Sequence, residues 1–240
     1  IGISSNKPVS ANIINSLKKL EYRGYDSAGI ATLSDGEIYE VKSEGRVDNL
    51  ESNFDLKNLK GNIGIGHVRW ATHGIPNQIN ALPHSTEKVS VVHNGIIENS
   101  DKLKEELQLK GYKFKSQTDT EVITIILTDF LKTEDLKSAI NKTLTKLDGS
   151  FALGVIFKDF DDVVVGARRG SPLAVGYGHG ENFLGSDSYA LKTMTNKISY
   201  LDDGDFCLLY KEKVEFFNSK LQNINKEVYE LSNDENVANK

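Results

Sequence analysis

The sequence predicts an α+β protein in which sheets pack face to face and helices lie outside them. Three observations carry that prediction. Segments rich in β-branched residues come first, paired helical segments fill the middle, and a run of short β segments occupies the second half. Strands are therefore not separated one by one by helices, as βαβ units require. The 240 residues, 38% hydrophobic and 26% charged, suffice for a sizeable core and are too apolar for a disordered chain.

Each element has a local reason. Ile1-Gly2-Ile3 reads as the end of a buried strand. Asn6-Lys7-Pro8 opens a helix, since a first turn tolerates proline, and Val9, Ile13, Ile14, Leu17 and Leu20 fall on one face with Gly24 beyond its end. Residues 30–33 and 37–42 form a hairpin around Ser34-Asp35-Gly36, and 61–67 and 89–93 are strands. Helices follow at 101–109, stopped by Gly111, at 120–131, and at 135–147, ending at Asp148-Gly149. Strands are then expected at 151–157, 163–167, 173–176, 183–185, 197–201, 206–210 and 214–217. Residues 232–240 are polar and aperiodic, so 1–231 reads as the domain and 232–240 as a tail or linker.

Composition excludes several functions. With 29 basic and 34 acidic side chains the net charge is −5, and no basic stripe offers nucleic acid a grip. Apolar runs of about six residues fall short of the ~20 that cross a bilayer, and no leader reads as a signal peptide. The one cysteine, Cys207, forms no internal disulfide and excludes a multi-cysteine zinc site, which fits a cytoplasmic protein.

Four segments hold more polar detail than packing needs. In Glu21-Tyr22-Arg23-Gly24-Tyr25-Asp26-Ser27-Ala28-Gly29, a helix cap followed by a turn competes with a buried Arg–Asp brace. His67-Val68-Arg69-Trp70-Ala71-Thr72-His73-Gly74 leaves a strand, and the planar donor fork of Arg69 suits a carboxylate. His67, His73, His84 and His93 lack the spacing of a metal motif and read as mostly structural, so no metal is expected. Asn94-Gly95, between apolar runs, is a type I′ hairpin signal, or else an oxyanion hole built from the Asn94 amide and the Gly95 N–H, and the sequence leaves both open. Ser116-Gln117-Thr118-Asp119-Thr120-Glu121 is a helix N-cap with one acid to spare, and Asp119 then pairs with Arg69 to match the charged ends of a free amino acid.

In this order and spacing the four segments resemble the glutaminase domain of the glutamine–fructose-6-phosphate aminotransferase family (glucosamine-6-phosphate synthases), within the class II glutamine amidotransferases. Gly170-Ser171-Pro172-Leu173, Gly180-Glu181-Asn182-Phe183 and Ser186-Asp187 extend the likeness over nearly the whole chain. The resemblance implies a four-layer αββα sandwich of the N-terminal-nucleophile hydrolase type and hydrolysis of L-glutamine to glutamate and ammonia without a cofactor. Asn94 and Gly95 are then the oxyanion donors, Arg69 and Asp119 hold the substrate carboxylate and ammonium, and Trp70, Thr72 and His73 line or cover the site. Family chains begin Cys-Gly-Ile, and Ile1 aligns about three positions after that cysteine, so the nucleophile is expected ahead of Ile1 and the chain as it stands is expected to be inactive. Cys207 is no substitute, since it sits in an apolar strand. In the full enzyme the ammonia serves a C-terminal isomerase domain acting on fructose 6-phosphate, and a dimer is implied. Three other readings stay open: a purine-pathway class II amidotransferase, a non-catalytic domain should the native chain lack the cysteine, and a metal hydrolase using the histidines.

Overall fold

Alternation along the strands sorts the apolar residues into three separate cores, and these set the layers. In the computed structural model, which describes residues 1–72 and 74–231 (for Lys57 the backbone alone), β1 (Gly2–Ser5) leads into α1 (Ser10–Leu20). The hairpin β2 (Ser27–Ser34) and β3 (Glu37–Glu44) follows, then α2 (Val47–Asn53), β4 (Ile63–Arg69), β5 (His84–Ser85) and β6 (Val89–Ile97). Three helices come next, α3 (Ser100–Leu109), α4 (Thr120–Phe130) and α5 (Leu136–Lys146). The second half holds β7 (Gly149–Phe157), β8 (Phe160–Arg169), β9 (Ala174–Tyr177), β10 (Glu181–Gly185), α6 (Ser188–Leu191), β11 (Lys197–Tyr200), β12 (Phe206–Leu209), β13 (Val214–Phe217), β14 (Asn223–Ile224) and β15 (Tyr229–Glu230).

One sheet has the order β15-β11-β9-β10-β1-β4-β2-β3 and the other β14-β13-β12-β8-β7-β6-β5, with antiparallel pairings throughout. Ile13 and Leu17 of α1 bury against Ile1, Ile3 and Ile30 on the outer face of the first sheet. Val122 and Ile126 of α4 do the same against Val89, Phe151 and Phe206 of the second. Between the sheets lies the third core, with Ile65, Val92, Ile156, Val164 and Leu184. Helices, sheet, sheet, helices: the result is the four-layer αββα sandwich.

The predicted elements recur with shifted ends. Asp35 and Gly36 close the β2–β3 hairpin with φ of 53° and 71°, as a two-residue type I′ turn demands. Strand β6 runs four residues further than the predicted 89–93, because its register with β7 continues to Ile97 opposite Gly149. The short helix α2, anchored only by Val47 and Leu50, had no predicted counterpart. The tail read at 232–240 lies outside the described residues. No helix among the described residues is long and apolar enough to cross a membrane.

Candidate active site

On β4 one row of side chains runs Ile63, Ile65, His67, Arg69. The first two belong to the core between the sheets, and the last two continue the row as polar groups. On β6 the corresponding row passes from Val92 to Asn94. These polar ends meet in a cavity of about 410 Å³, whose wall includes Ile1, His67, Arg69, Asn94, Gly95 and Asp119. Trp70 and Thr72 line it from the segment after β4, and Trp70 is 68% exposed. His73 lies outside the described residues.

Arg69 is only 5% exposed, and its Nη2 donates to the Gly74 carbonyl at 3.4 Å. Burial draws its guanidinium below the ordinary arginine value, while the carboxylates of Asp26 and Asp119 pull it back up. A partly desolvated cation between two carboxylates is a natural seat for an anion that brings its own positive group. Of the two readings of the 21–29 segment, the Arg–Asp brace is not formed between Arg23 and Asp26. Asp26 Oδ2 instead accepts from Ala71 N at 2.8 Å and its own N–H donates to the Arg69 carbonyl at 3.0 Å, so it shapes the Arg69 segment. Arg23 Nη1 donates to Ser186 Oγ at 3.0 Å, and the Tyr22 hydroxyl donates to Asp187. Gly24, at φ 154°, lets this loop lie on the Trp70 backbone, since a Cβ there would stand 2.8 Å from Trp70 N.

Asn94 and Gly95 sit inside β6 opposite Ala152 and Phe151, so the hairpin-turn reading of Asn-Gly is overturned. Continuous pairing with β7 outweighs the local turn preference. Gly95 has φ 135°, and a Cβ would lie 2.1 Å from the Ser150 carbonyl oxygen, so the approach of β7 itself requires glycine. Ile97 N donates to Asp119 Oδ2 at 2.8 Å, whereas Glu98 N donates towards β7, to Asp148 O at 2.9 Å. Backbone N–H groups alternate sides along a strand, so that of Gly95 shares the side of Ile97, away from β7. On that side β5 pairs only as far as Ser90 and Val91, leaving the β6 edge uncovered by strand at Gly95.

The spare acid before α4 is also explained. Glu121 closes the turn, accepting from Lys115 N at 2.8 Å and Ser116 N at 2.7 Å. Asp119 makes no cap bond to its own helix and turns into the cavity wall. His93 Nδ1 lies 3.1 Å from Thr120 Oγ1 and 4.0 Å from Asp119 Oδ1, and His84 Nε2 lies 2.7 Å from Thr118 Oγ1. Burial pulls the His67 and His84 imidazoles down to about 3, so both are neutral near pH 7. Among the described residues no three His, Cys, Asp or Glu side chains group as a metal site would need. Cys207 is fully buried in β12, and burial pushes its thiol up to about 12, far from nucleophilic use.

Sequence reasoning passed over Asn80. It is buried and bonded to Gln117 beside the site, and no motif spacing distinguishes a buried asparagine from a turn residue.

A sequence profile of the glutamine amidotransferase domain matches residues 67–193. The chain is 49% identical over 219 residues to the glutamine–fructose-6-phosphate aminotransferase (isomerizing) of Mesorhizobium japonicum, covering 91% of this chain and 36% of that protein. To the enzyme of the same name from Zymomonas mobilis it is 49% identical over 216 residues, covering 90% and 36%. It therefore spans about a third of the length of these curated relatives. Among solved structures, the glutamine phosphoribosylpyrophosphate amidotransferase of B. subtilis, complexed with ADP and GMP, superposes with a TM-score of 0.77 at 25% identity, over 92% of this chain and 49% of that one. The sandwich is of the N-terminal-nucleophile hydrolase type, and the chain belongs to the glutamine amidotransferase domain family.

Proposed function

We propose that residues 1–231 form a glutaminase domain that releases ammonia from L-glutamine, within a longer enzyme that converts fructose 6-phosphate to glucosamine 6-phosphate. The convergence of Arg69, Asp119 and the outward N–H of Gly95 on one cavity carries this reading. A donor fork suits an α-carboxylate, a carboxylate suits an α-ammonium, and an uncovered N–H suits an oxyanion. Identity of 49% to the aminotransferases, against 25% to the phosphoribosylpyrophosphate enzyme, favours the amino-sugar reaction over the purine one.

Strand register supports the place of the nucleophile. Gly2 pairs with Ile65 and Ile3 with Gly64, so each step back along β1 is a step forward along β4. Continued in that register, the third residue ahead of Ile1 falls opposite Arg69, on the face shared by His67 and Arg69. A cysteine there, as the resemblance implies, attacks the side-chain amide carbon of glutamine with its thiolate. Its own α-amine takes the thiol proton and passes it to the departing nitrogen. The C–N bond breaks, ammonia leaves, and water cleaves the thioester to glutamate and restores the thiol. The Asn94 amide and the Gly95 N–H stabilise the oxygen as it becomes negative, each such donor contributing about 3 kcal/mol. Trp70 and Thr72 complete the wall. Fructose 6-phosphate is met by a C-terminal isomerase domain, and the enzyme works as a cytoplasmic dimer.

The test uses the full-length polypeptide. Asn94→Asp should lower kcat for glutamine hydrolysis by roughly two to three orders of magnitude while the protein still folds. A glutamine-like electrophile should label the leading cysteine and spare Cys207. Wild-type turnover in Asn94→Asp, or label on Cys207, overturns the assignment.

A further inference from the structure

The two charged groups of the site stand on separate elements, Arg69 at the end of β4 and Asp119 just before α4, and one buried side chain joins the turns beside them. Asn80, 1% exposed, donates from Nδ2 to the Ile75 carbonyl at 3.0 Å and to Gln117 Oε1 at 3.2 Å. Its Oδ1 accepts from Gln117 N at 2.9 Å, and its own N–H donates to Asn77 Oδ1 at 2.8 Å. Ile75 follows Gly74, whose carbonyl accepts from Arg69, while Gln117 stands two residues before Asp119. The Gln117 turn is held on its other sides by Glu121 and by the Thr118–His84 bond. A single primary amide thus ties the turn beside Arg69 to a braced turn that carries Asp119.

We propose that Asn80 is a positioning residue that sets the spacing between Arg69 and Asp119, and with it the preference of the site for an α-amino acid amide. The proposal rests on the glutaminase reading and deepens it. In an amino acid the carboxylate and ammonium share one carbon, so their separation is fixed by covalent geometry. A site that grips both must hold its own two charges at a matching distance, and a turn tethered by one amide holds them only while that amide is intact. A substrate bearing only one of the two charges is insensitive to the spacing.

The experiment compares wild-type and Asn80→Asp full-length enzyme on L-glutamine and on 4-carbamoylbutyrate, which keeps the reacting amide and the carboxylate but lacks the α-ammonium. The aspartate keeps the acceptor for Gln117 N and loses both donated bonds. KM for glutamine should rise about tenfold with kcat within twofold, and KM for 4-carbamoylbutyrate should move less than twofold. Should Asn80→Asp fail to fold, Gln117→Leu removes one of the two donated bonds and should raise KM for glutamine about threefold with the same asymmetry. Equal KM changes for both substrates, a matching fall in kcat, or no change at all would overturn the positioning role. A wild-type enzyme that hydrolyses no glutamine would instead overturn the glutaminase reading beneath it, so the two failures are distinct.

Discussion

Replacing Gly95 by alanine separates what the fold demands from what the chemistry demands. The new methyl carbon would lie 2.1 Å from Ser150 O, 2.8 Å from Ser150 C and 3.0 Å from Phe151 Cα, all backbone atoms that no rotamer change can move. At φ 135° an L side chain is also strained. Backbone strain of this kind costs about 1–3 kcal/mol. Forcing extra volume into a packed interior costs about as much again. The sum, about 4 kcal/mol, is a large share of the ~5–15 kcal/mol that holds an ordinary domain together. For a chain of this size it corresponds to a Tm lower by roughly 10 °C, read by circular dichroism. Asn94→Ala is the control: the side chain lines the cavity, so its loss should shift unfolding by no more than ~1 kcal/mol while abolishing most turnover. A Gly95→Ala protein that melts within ~0.5 kcal/mol of wild type would refute the claim that Ser150 requires the glycine.

Two further outcomes are expected. Arg69→Lys keeps the charge and loses the planar fork, so KM for glutamine should rise about tenfold or more with a smaller effect on kcat; an unchanged KM in steady-state assays would remove Arg69 from carboxylate binding. His84 is held neutral in the folded state, its pKa lowered to about 3 from the ordinary 6.5, so its contribution is complete above pH 6.5 and is lost as the pH falls towards 3, where only the unfolded chain takes up the proton. Urea unfolding from pH 7 to 4 should show up to ~1.4 kcal/mol lost per pH unit from this group, and His84→Gln should make that acid limb shallower.

The sequence made most strands and helices legible because their periodicity is long enough to read. The row Ile13, Leu17, Leu20 declares α1, and the alternation through β7 and β8 declares buried strands. Where the reading stayed open or missed an element, the tertiary surroundings decided the matter. Asn94-Gly95 has ideal turn chemistry, yet the register with β7 keeps it extended. An Arg–Asp brace within residues 21–29 competed with a plain cap and turn, and the Asp26 carboxylate instead serves the backbone of Ala71, 45 residues away in sequence. Helix α2 has two buried anchors, too few to establish a period. Arg69 and Asn94 could be singled out as candidates because polar residues stand there where apolar rows end, and Asp119 because it is one acid more than the helix start needs. Asn80 was not, because its role depends on which carbonyls and amides surround it, and those come from segments distant in the chain.

The position of the cavity follows from how the two sheets are filled. Between them, facing rows of Ile, Val and Leu exclude water, and the sandwich is as rigid there as its packing. Carrying the same rows beyond the apolar residues, as β4 does from Ile65 to His67 and Arg69 and β6 from Val92 to Asn94, places polar groups on backbone that the core has already fixed. Groups that must stabilise developing charge belong on such backbone, because they act without reorganising at the moment of reaction. The groups proposed to select the substrate are arranged differently. Asp119 stands just before a helix, and the Gly74 carbonyl beside Arg69 belongs to a turn held to the Asp119 turn by side-chain hydrogen bonds, not by a shared strand ladder. Substitutions in those turns should therefore act mainly on KM and substrate preference. Substitutions at the end of β6 should act on turnover or on the fold itself, and the contrast between Asn80→Asp and Gly95→Ala measures that division directly.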